Sequence, residues 1–284
     1  MEGSGAVCIY MIKCRKKAAA IHRFGKLGGL DVLKTFSITD IGKRRKLNQD
    51  YVFASDEPMG NLPNIFIVAD GMGGHNAGDY ASKYAVETVK EEIARSFEKS
   101  PVRILGAAIR TANDHIRKKA KEEAALSGMG TTMVAATCLG DKYLEVANVG
   151  DSRLYVVNDR KIEQITRDHS LVEEMIRLGG IDREAARSHP DKNIITRAIG
   201  AKDTVEVDFF QVELHPGDIV LLCSDGLTNM LEDREIHMIL SSQGSVEEKA
   251  EELVRAANLN GGKDNIAVIL MEPFVSAGNE PALS

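Results

Sequence analysis

From Lys34 onward the chain reads as blocks of short apolar runs separated by longer amphipathic stretches. The runs at Thr35 to Thr39, Tyr51 to Ala54 and Asn64 to Ala69 are rich in β-branched and aromatic residues, and their length predicts strands. Two helices follow. Ala85, Val89, Ile93 and Phe97 recur at four-residue spacing along the first, and Leu105, Ile109, Ala112 and Ile116 at spacings of four, three and four along the second. Each helix therefore presents an apolar face to a sheet. Strand-like runs return at Thr131 to Leu139, Tyr143 to Val149, Leu154 to Val157, Val205 to Val212 and Ile219 to Cys223. Between them lies a segment from Leu171 to Asn193 that mixes helical spacing (Val172, Met175, Ile176) with Gly179, Gly180 and the turn formers His189, Pro190 and Asp191. Its paired glycines and few strong apolar positions predict an inserted, mobile flap. Helical stretches at Asp233 to Ser241 and Ser245 to Asn258 lead to a last strand, Ile266 to Met271. Strands grouped around pairs of helices, with no strict alternation, predict an α+β layered sandwich rather than a doubly wound parallel sheet.

Residues 1–33 show no sustained period and contain Gly25, Gly28 and Gly29, so they are expected to be a leader. One catalytic domain is expected over 34–273, with the flap at about 171–193 and a frayed tail over 274–284. The 284 residues and 43% apolar content suffice for a full core, and there are no internal repeats. The net charge of −6 argues against nucleic-acid binding through a broad basic face. Four cysteines (Cys8, Cys14, Cys138 and Cys223) lack CxxC or metal-finger spacing, which fits reduced thiols in a cytoplasmic protein. The apolar run Ala6 to Ile12 precedes its basic cluster, the reverse of a signal peptide, and no later stretch is long enough to insert into a membrane.

The candidate chemistry lies at the strand ends. Asp50 precedes Tyr51-Val52-Phe53, Asp70 follows Ile65 to Ala69, Asp151 follows Val146 to Gly150, Asp225 follows Val220 to Ser224, and Asp264 precedes Ile266-Ala267-Val268. Any one of these is an ordinary turn residue. If all converge, carboxylates about 5 Å apart repel by roughly 3 kcal/mol per pair at an effective dielectric near 20, and the cluster needs cations or shared protons. All-oxygen ligation selects hard ions such as Mg²⁺ or Mn²⁺. Such ions suit hydrolysis of a phosphate ester, by activating water and neutralising phosphoryl oxygens. The glycines of Asp70-Gly71-Met72-Gly73-Gly74-His75 let backbone approach an ion closely, and the run is neither GxGxxG nor a P-loop. His75, just before the first long helix, reads on its own as a structural or surface histidine, with proton donation as the alternative. Arg45 sits in the basic run Lys43-Arg44-Arg45-Lys46 and is chemically suited to clamp a phosphate. Arg187, Lys192 and Arg197 read first as ordinary surface charge, with contact to an acidic phosphopeptide as the alternative.

Taken in order, these motifs resemble the PPM (type 2C) metal-dependent protein phosphatases, in particular compact bacterial members. The resemblance rests on Thr39-Asp40-Ile41-Gly42 with Arg45, Asn48 and Asp50; Asp70 to His75; Gly128-Met129-Gly130-Thr131-Thr132; Asn148 to Arg153; Cys223 to Leu227; and Lys263-Asp264-Asn265. It implies a four-layer αββα sandwich of two antiparallel sheets flanked by helix pairs. It further implies hydrolysis of phosphoserine and phosphothreonine on proteins by a hydroxide bridging two Mn²⁺ or Mg²⁺ ions, in opposition to a bacterial Ser/Thr kinase. Under the resemblance Asp70 bridges the metals, the Gly71 carbonyl binds one, and Asp225 and Asp264 complete the other. Asp151, with Asp225, serves a third, weaker metal site, Asp50 holds metal-bound waters, Arg45 holds the phosphate and His75 protonates the leaving oxygen. Many relatives carry a Glu-Asp pair where this chain has Gln49-Asp50, which puts direct ligation by residue 49 in question. A monomer is the default assembly. The competing reading is a catalytically weak binding module of the same fold, against which the intact Asp70, Asp225 and Asp264 weigh.

Overall fold

The computed structural model describes residues 17–22, 32–74, 77–140 and 142–275. The strands are β1 (Lys17–His22), β2 (Val32–Asp40), β3 (Asp50–Ser55), β4 (Ile65–Met72), β5 (Gly130–Thr131), β6 (Met133–Leu139), β7 (Tyr143–Val149), β8 (Arg153–Val157), β9 (Ile162–Gln164), β10 (Asp208–Glu213), β11 (Ile219–Cys223) and β12 (Ile266–Val275). The α-helices are α1 (Ala77–Arg95), α2 (Pro101–Glu122), α3 (Leu171–Arg177), α4 (Arg183–Ser188), α5 (Asp225–Thr228), α6 (Asp233–Leu240) and α7 (Val246–Leu259).

One sheet runs β1-β2-β12-β11-β8-β9 and the other β10-β7-β6-β4-β3, with β5 paired to β4. Their pairings are antiparallel. Strand parity explains the layers. Ile65, Ile67 and Ala69 of β4 point one way into a core shared with α1 and α2, whereas Phe66 and Val68 point the other way into a core between the sheets. In β12, Ala267, Ile269 and Met271 enter that same inner core, and Ile266, Val268 and Leu270 face α6 and α7. Both faces of these strands are covered, so they read as unbroken apolar runs. The result is the expected αββα sandwich.

Local signals set the helix limits. Pro101 opens α2 after Ser100, where a missing N–H costs nothing. Ser245 and Glu248 form a reciprocal cap at the start of α7. Phe97 departs from expectation: α1 stops at Arg95, and Phe97 is 97% exposed in the linker to α2. Its four-residue spacing continued a helical face past the point where the helix ends.

Within the expected leader, 17–22 pair with β2 as an edge strand in the register Lys17↔Asp40 to His22↔Thr35; the rest of 1–31 lies outside the described residues. So do 276–284 of the expected tail, and His75 with Asn76. The short edge strand β9 was absent from the sequence pattern.

Candidate active site

The antiparallel registers bring the strand ends to one edge of the sandwich. Asp50 at the start of β3 lies directly opposite Asp70 in β4, and the Gly71 N–H donates to the Gln49 carbonyl at 3.1 Å. In the facing sheet, Cys223 pairs with both Val268 and Arg153, so Asp225 just beyond β11 and Asp264 just before β12 share an end. Asp151 enters from the turn after β7.

Backbone fixation leaves Asp70 only its carboxylate to offer. Its N–H donates to Thr132 Oγ1 at 2.9 Å, and its carbonyl accepts from Thr131 Oγ1 at 2.8 Å and from the Thr132 N–H at 2.9 Å. Ser224 Oγ crosses between the sheets to donate to Asp50 Oδ2 at 2.6 Å, and itself accepts from the Ala267 N–H at 2.9 Å. Asn265 is the second cross-link: its Oδ1 accepts from the Gln49 N–H, and its Nδ2 donates to the carbonyls of Ile41 and Leu47. Gly226 must be glycine here, because a Cβ would stand 1.8 Å from the Asn265 carbonyl oxygen. Gly71 is similarly enclosed, with the Gly78 carbonyl oxygen 2.0 Å from any Cβ. The Gln49 amide packs against Gly78 at the start of α1, 2.4 Å from where a Cβ would be.

The carboxylates feel one another. Burial, followed by the neighbouring Asp225 and Asp264, pushes Asp50 up to about 8, with the Ser224 hydrogen bond opposing. Burial and then Asp264 push Asp225 up to about 6, opposed by a hydrogen bond from Asp70. Asp70 stands well above the usual carboxylate range, first through burial and then through Asp50, Asp225, Asp151 and Asp264. Asp151 is raised likewise by burial and by Asp225. In this structure Arg45 NH2 donates to Asp264 Oδ2 at 2.7 Å, and Asn229 Nδ2 donates to Asp225 Oδ2 at 2.9 Å. With these contacts in place, no trio of carboxylates among the described residues closes on a single ion. The donor set nevertheless fits a hard divalent cation: buried and half-buried aspartate oxygens whose mutual repulsion an ion would relieve.

The structure thus brings together Asp50, Asp70, Gly71, Asp151, Asp225 and Asp264, with Arg45 at their rim. Arg197 and Arg187 are engaged by other partners, and Lys192 stays beside the cluster. Arg197 donates to Asp208 Oδ1 at 2.7 Å and pairs with Glu206, and Arg187 donates to the carbonyls of Thr228 and Leu231. Lys192 lines a cavity of 210 Å³ with Asp151, Asp225 and flap residues. Sequence reasoning missed His169. Its Nδ1 accepts from the Gly150 N–H at 3.0 Å, so Nε2 carries the proton and donates to Asp208 Oδ2 at 3.1 Å, fixing the turn that presents Asp151. Burial lowers the pKa of this imidazole and favours its neutral form. Arg153 and Asp168 form a second hidden support, a bidentate pair with bonds of 2.7 to 3.0 Å on which Tyr155 also rests.

An antiparallel αββα sandwich with a carboxylate cluster at one edge of both sheets defines the architecture of the PPM phosphatases, and comparison with known proteins agrees. Residues 42–271 match the family described as protein phosphatase 2C. The chain is 45% identical over 240 residues to the serine/threonine phosphatase Stp of Listeria monocytogenes, covering 82% of this chain and 93% of that one. The crystal structure of serine/threonine phosphatase Stp1 from Staphylococcus aureus superposes with a TM-score of 0.78 at 37% identity, covering 88% of this chain and 98% of the other. The catalytic domain of the serine/threonine phosphatase PstP, solved in complex with two manganese ions, superposes with a TM-score of 0.74 at 32% identity, covering 84% and 97%. The chain belongs to the protein phosphatase 2C family and is a protein phosphatase.

Proposed function

We propose that the chain hydrolyses phosphoserine and phosphothreonine on proteins, using Mn²⁺ or Mg²⁺, in opposition to a bacterial Ser/Thr kinase in the cytoplasm. The observation that carries this reading is the set of buried and half-buried, mutually repelling aspartates at one edge of both sheets. Asp70, the Gly71 carbonyl, Asp225 and Asp264 would hold two divalent ions, with Asp151 and Asp225 serving a third. Such ions supply water of lowered pKa as nucleophile and neutralise charge on the phosphoryl group.

The protein's own residues do the rest. Asp50, anchored by Ser224, orients the nucleophilic water by accepting its hydrogen bonds. Arg45, at 48% side-chain exposure, would turn its fork from Asp264 to grip phosphoryl oxygens, and two parallel N–H donors suit a tetrahedral phosphate better than a lysine point charge. His75 gives its proton to the departing serine or threonine oxygen, a poor leaving group that needs one. The Gln49 amide, packed on Gly78 at the start of α1, supports the approach of β3 to that helix. Membrane attachment is not required for this role, and among the described residues no helix is long and apolar enough to cross a bilayer.

The test is a comparison of phosphothreonine, phosphoserine and phosphotyrosine peptides of one sequence with Mn²⁺ present. The reading expects turnover of the first two well above the third. Equal or preferential hydrolysis of phosphotyrosine overturns the substrate assignment.

A further inference from the structure

We infer that Arg187 latches the flap to the body of the enzyme, and that this latch is what lets the enzyme favour phosphoprotein over small phosphate esters. The inference rests on the protein phosphatase reading above. Arg187 lies in the last turn of α4, and its NH2 donates to the Thr228 carbonyl at 3.3 Å and the Leu231 carbonyl at 3.1 Å. These carbonyls close the α5 turn that begins at Asp225, where helix-end oxygens lack intrahelical partners and a cation is favoured.

The two sides of this contact differ in firmness. The α5 side is anchored independently: the Leu231 N–H donates to the Leu227 carbonyl, the Asn229 N–H to the Asp225 carbonyl, and Asn260 Nδ2 to the Met230 carbonyl. Leu227 and Leu231 are also buried. The flap has little to hold it. No residue of α3 is buried, and in α4 only Ala186 is. Its stem is tied by the Leu171 N–H to the Ile194 carbonyl and by the Ser170↔Ile195 bridge. Among the described residues, the hydrogen bonds that tie segment 171–193 to the body beyond that stem are those of Arg187. A segment with so few buried apolar contacts opens at small cost, so two bonds to a charged donor weigh heavily in its position.

Latched, the flap roofs the cavity of 210 Å³ beside Asp151 and Asp225, with Val172, Glu173, Ile176 and Lys192 on its wall. A protein substrate can use that surface; a small ester reaches the cluster without it. Arg187 is therefore a positioning residue, and its loss frees the flap while the anchored α5 keeps Asp225 in place.

Hydrogen–deuterium exchange and steady-state kinetics on wild type, Arg187→Ala and Arg187→Lys test this, with a phosphothreonine protein and p-nitrophenyl phosphate as substrates and Mn²⁺ present. For Arg187→Ala, amides of 171–193 are expected to exchange about tenfold faster, while those of β11 and 225–231 are unchanged. KM for the phosphoprotein should rise about tenfold with kcat within about twofold, and p-nitrophenyl phosphate turnover should hold within about twofold. Arg187→Lys, which keeps a donor but not the fork, should fall between. Unchanged flap exchange overturns the latch, and equal losses on both substrates overturn its role in selection. If wild type does not hydrolyse the phosphoprotein, the proposed function fails, while the exchange data still judge the latch.

Discussion

Loading the carboxylate cluster with Mn²⁺ should expel protons. Asp50 is pushed up to about 8 by burial and by its neighbours, so at pH 7 it keeps its proton about nine times in ten. Asp225, at about 6, keeps one about one time in ten. Asp70 and Asp151 are pushed in the same direction, first by burial and then by their carboxylate neighbours. A divalent cation among these oxygens favours their ionised forms. Binding at pH 7 therefore releases about one proton per protein from Asp50 and Asp225 together, and the upward shifts of Asp70 and Asp151 add to that release. For Asp50 alone, the rise from 3.8 to about 8 corresponds to on the order of 6 kcal/mol against ionisation in place, at about 1.4 kcal/mol per tenfold change in proton affinity. The sign for stability follows directly. The folded metal-free protein holds protons that the unfolded chain has lost, so these groups lower its stability progressively as pH climbs from about 4 to about 8. The assay is calorimetric titration of Mn²⁺ into metal-free protein at pH 7 and pH 9, in buffers of differing ionisation enthalpy. Observed enthalpy should vary with buffer enthalpy at pH 7 with a slope of about one proton or more, and less at pH 9. A slope of zero at pH 7 refutes the reasoning.

Other expectations address the supports of the site. His75→Ala should lower turnover of phosphothreonine peptides while sparing aryl phosphates, whose leaving groups need no proton; equal loss on both removes the general-acid role. Ser224→Ala strands Asp50 Oδ2 and the Ala267 N–H, and thermal unfolding should report a loss of about 1 to 3 kcal/mol. Asp168→Ala leaves the Arg153 guanidinium without its bidentate partner, so denaturant unfolding should show a loss of about 3 to 5 kcal/mol, the range for one half of a buried pair.

Much of this architecture was legible because the strands covered on both faces form continuous apolar runs, and such runs announce their own ends. Asp50, Asp70, Asp151, Asp225 and Asp264 could be picked out at those ends before any fold was known. What could not be read was the cross-chain polar scaffolding. Ser224 meets Asp50 across 174 residues and Asn265 meets Gln49 across 216, and no local pattern encodes such a partnership. The same holds for His169 beneath Gly150 and for Arg187, whose charge looked like ordinary surface until its carbonyl partners were seen. Phe97 was misread because spacing alone does not say where a helix stops. The strand β9 escaped because an edge strand of three residues, Ile162–Gln164, none of them buried, carries too little apolar signal.

The central claim, that buried aspartates hold the metal on which catalysis depends, is tested most directly by one measurement: phosphothreonine-peptide hydrolysis by wild type with Mn²⁺, by wild type after EDTA, and by Asp70→Asn with Mn²⁺. The account predicts turnover in the first case, its loss with EDTA and recovery on restoring Mn²⁺, and little activity in the variant at any Mn²⁺ concentration. Hydrolysis that persists in EDTA, or an Asp70→Asn protein as active as wild type, contradicts it.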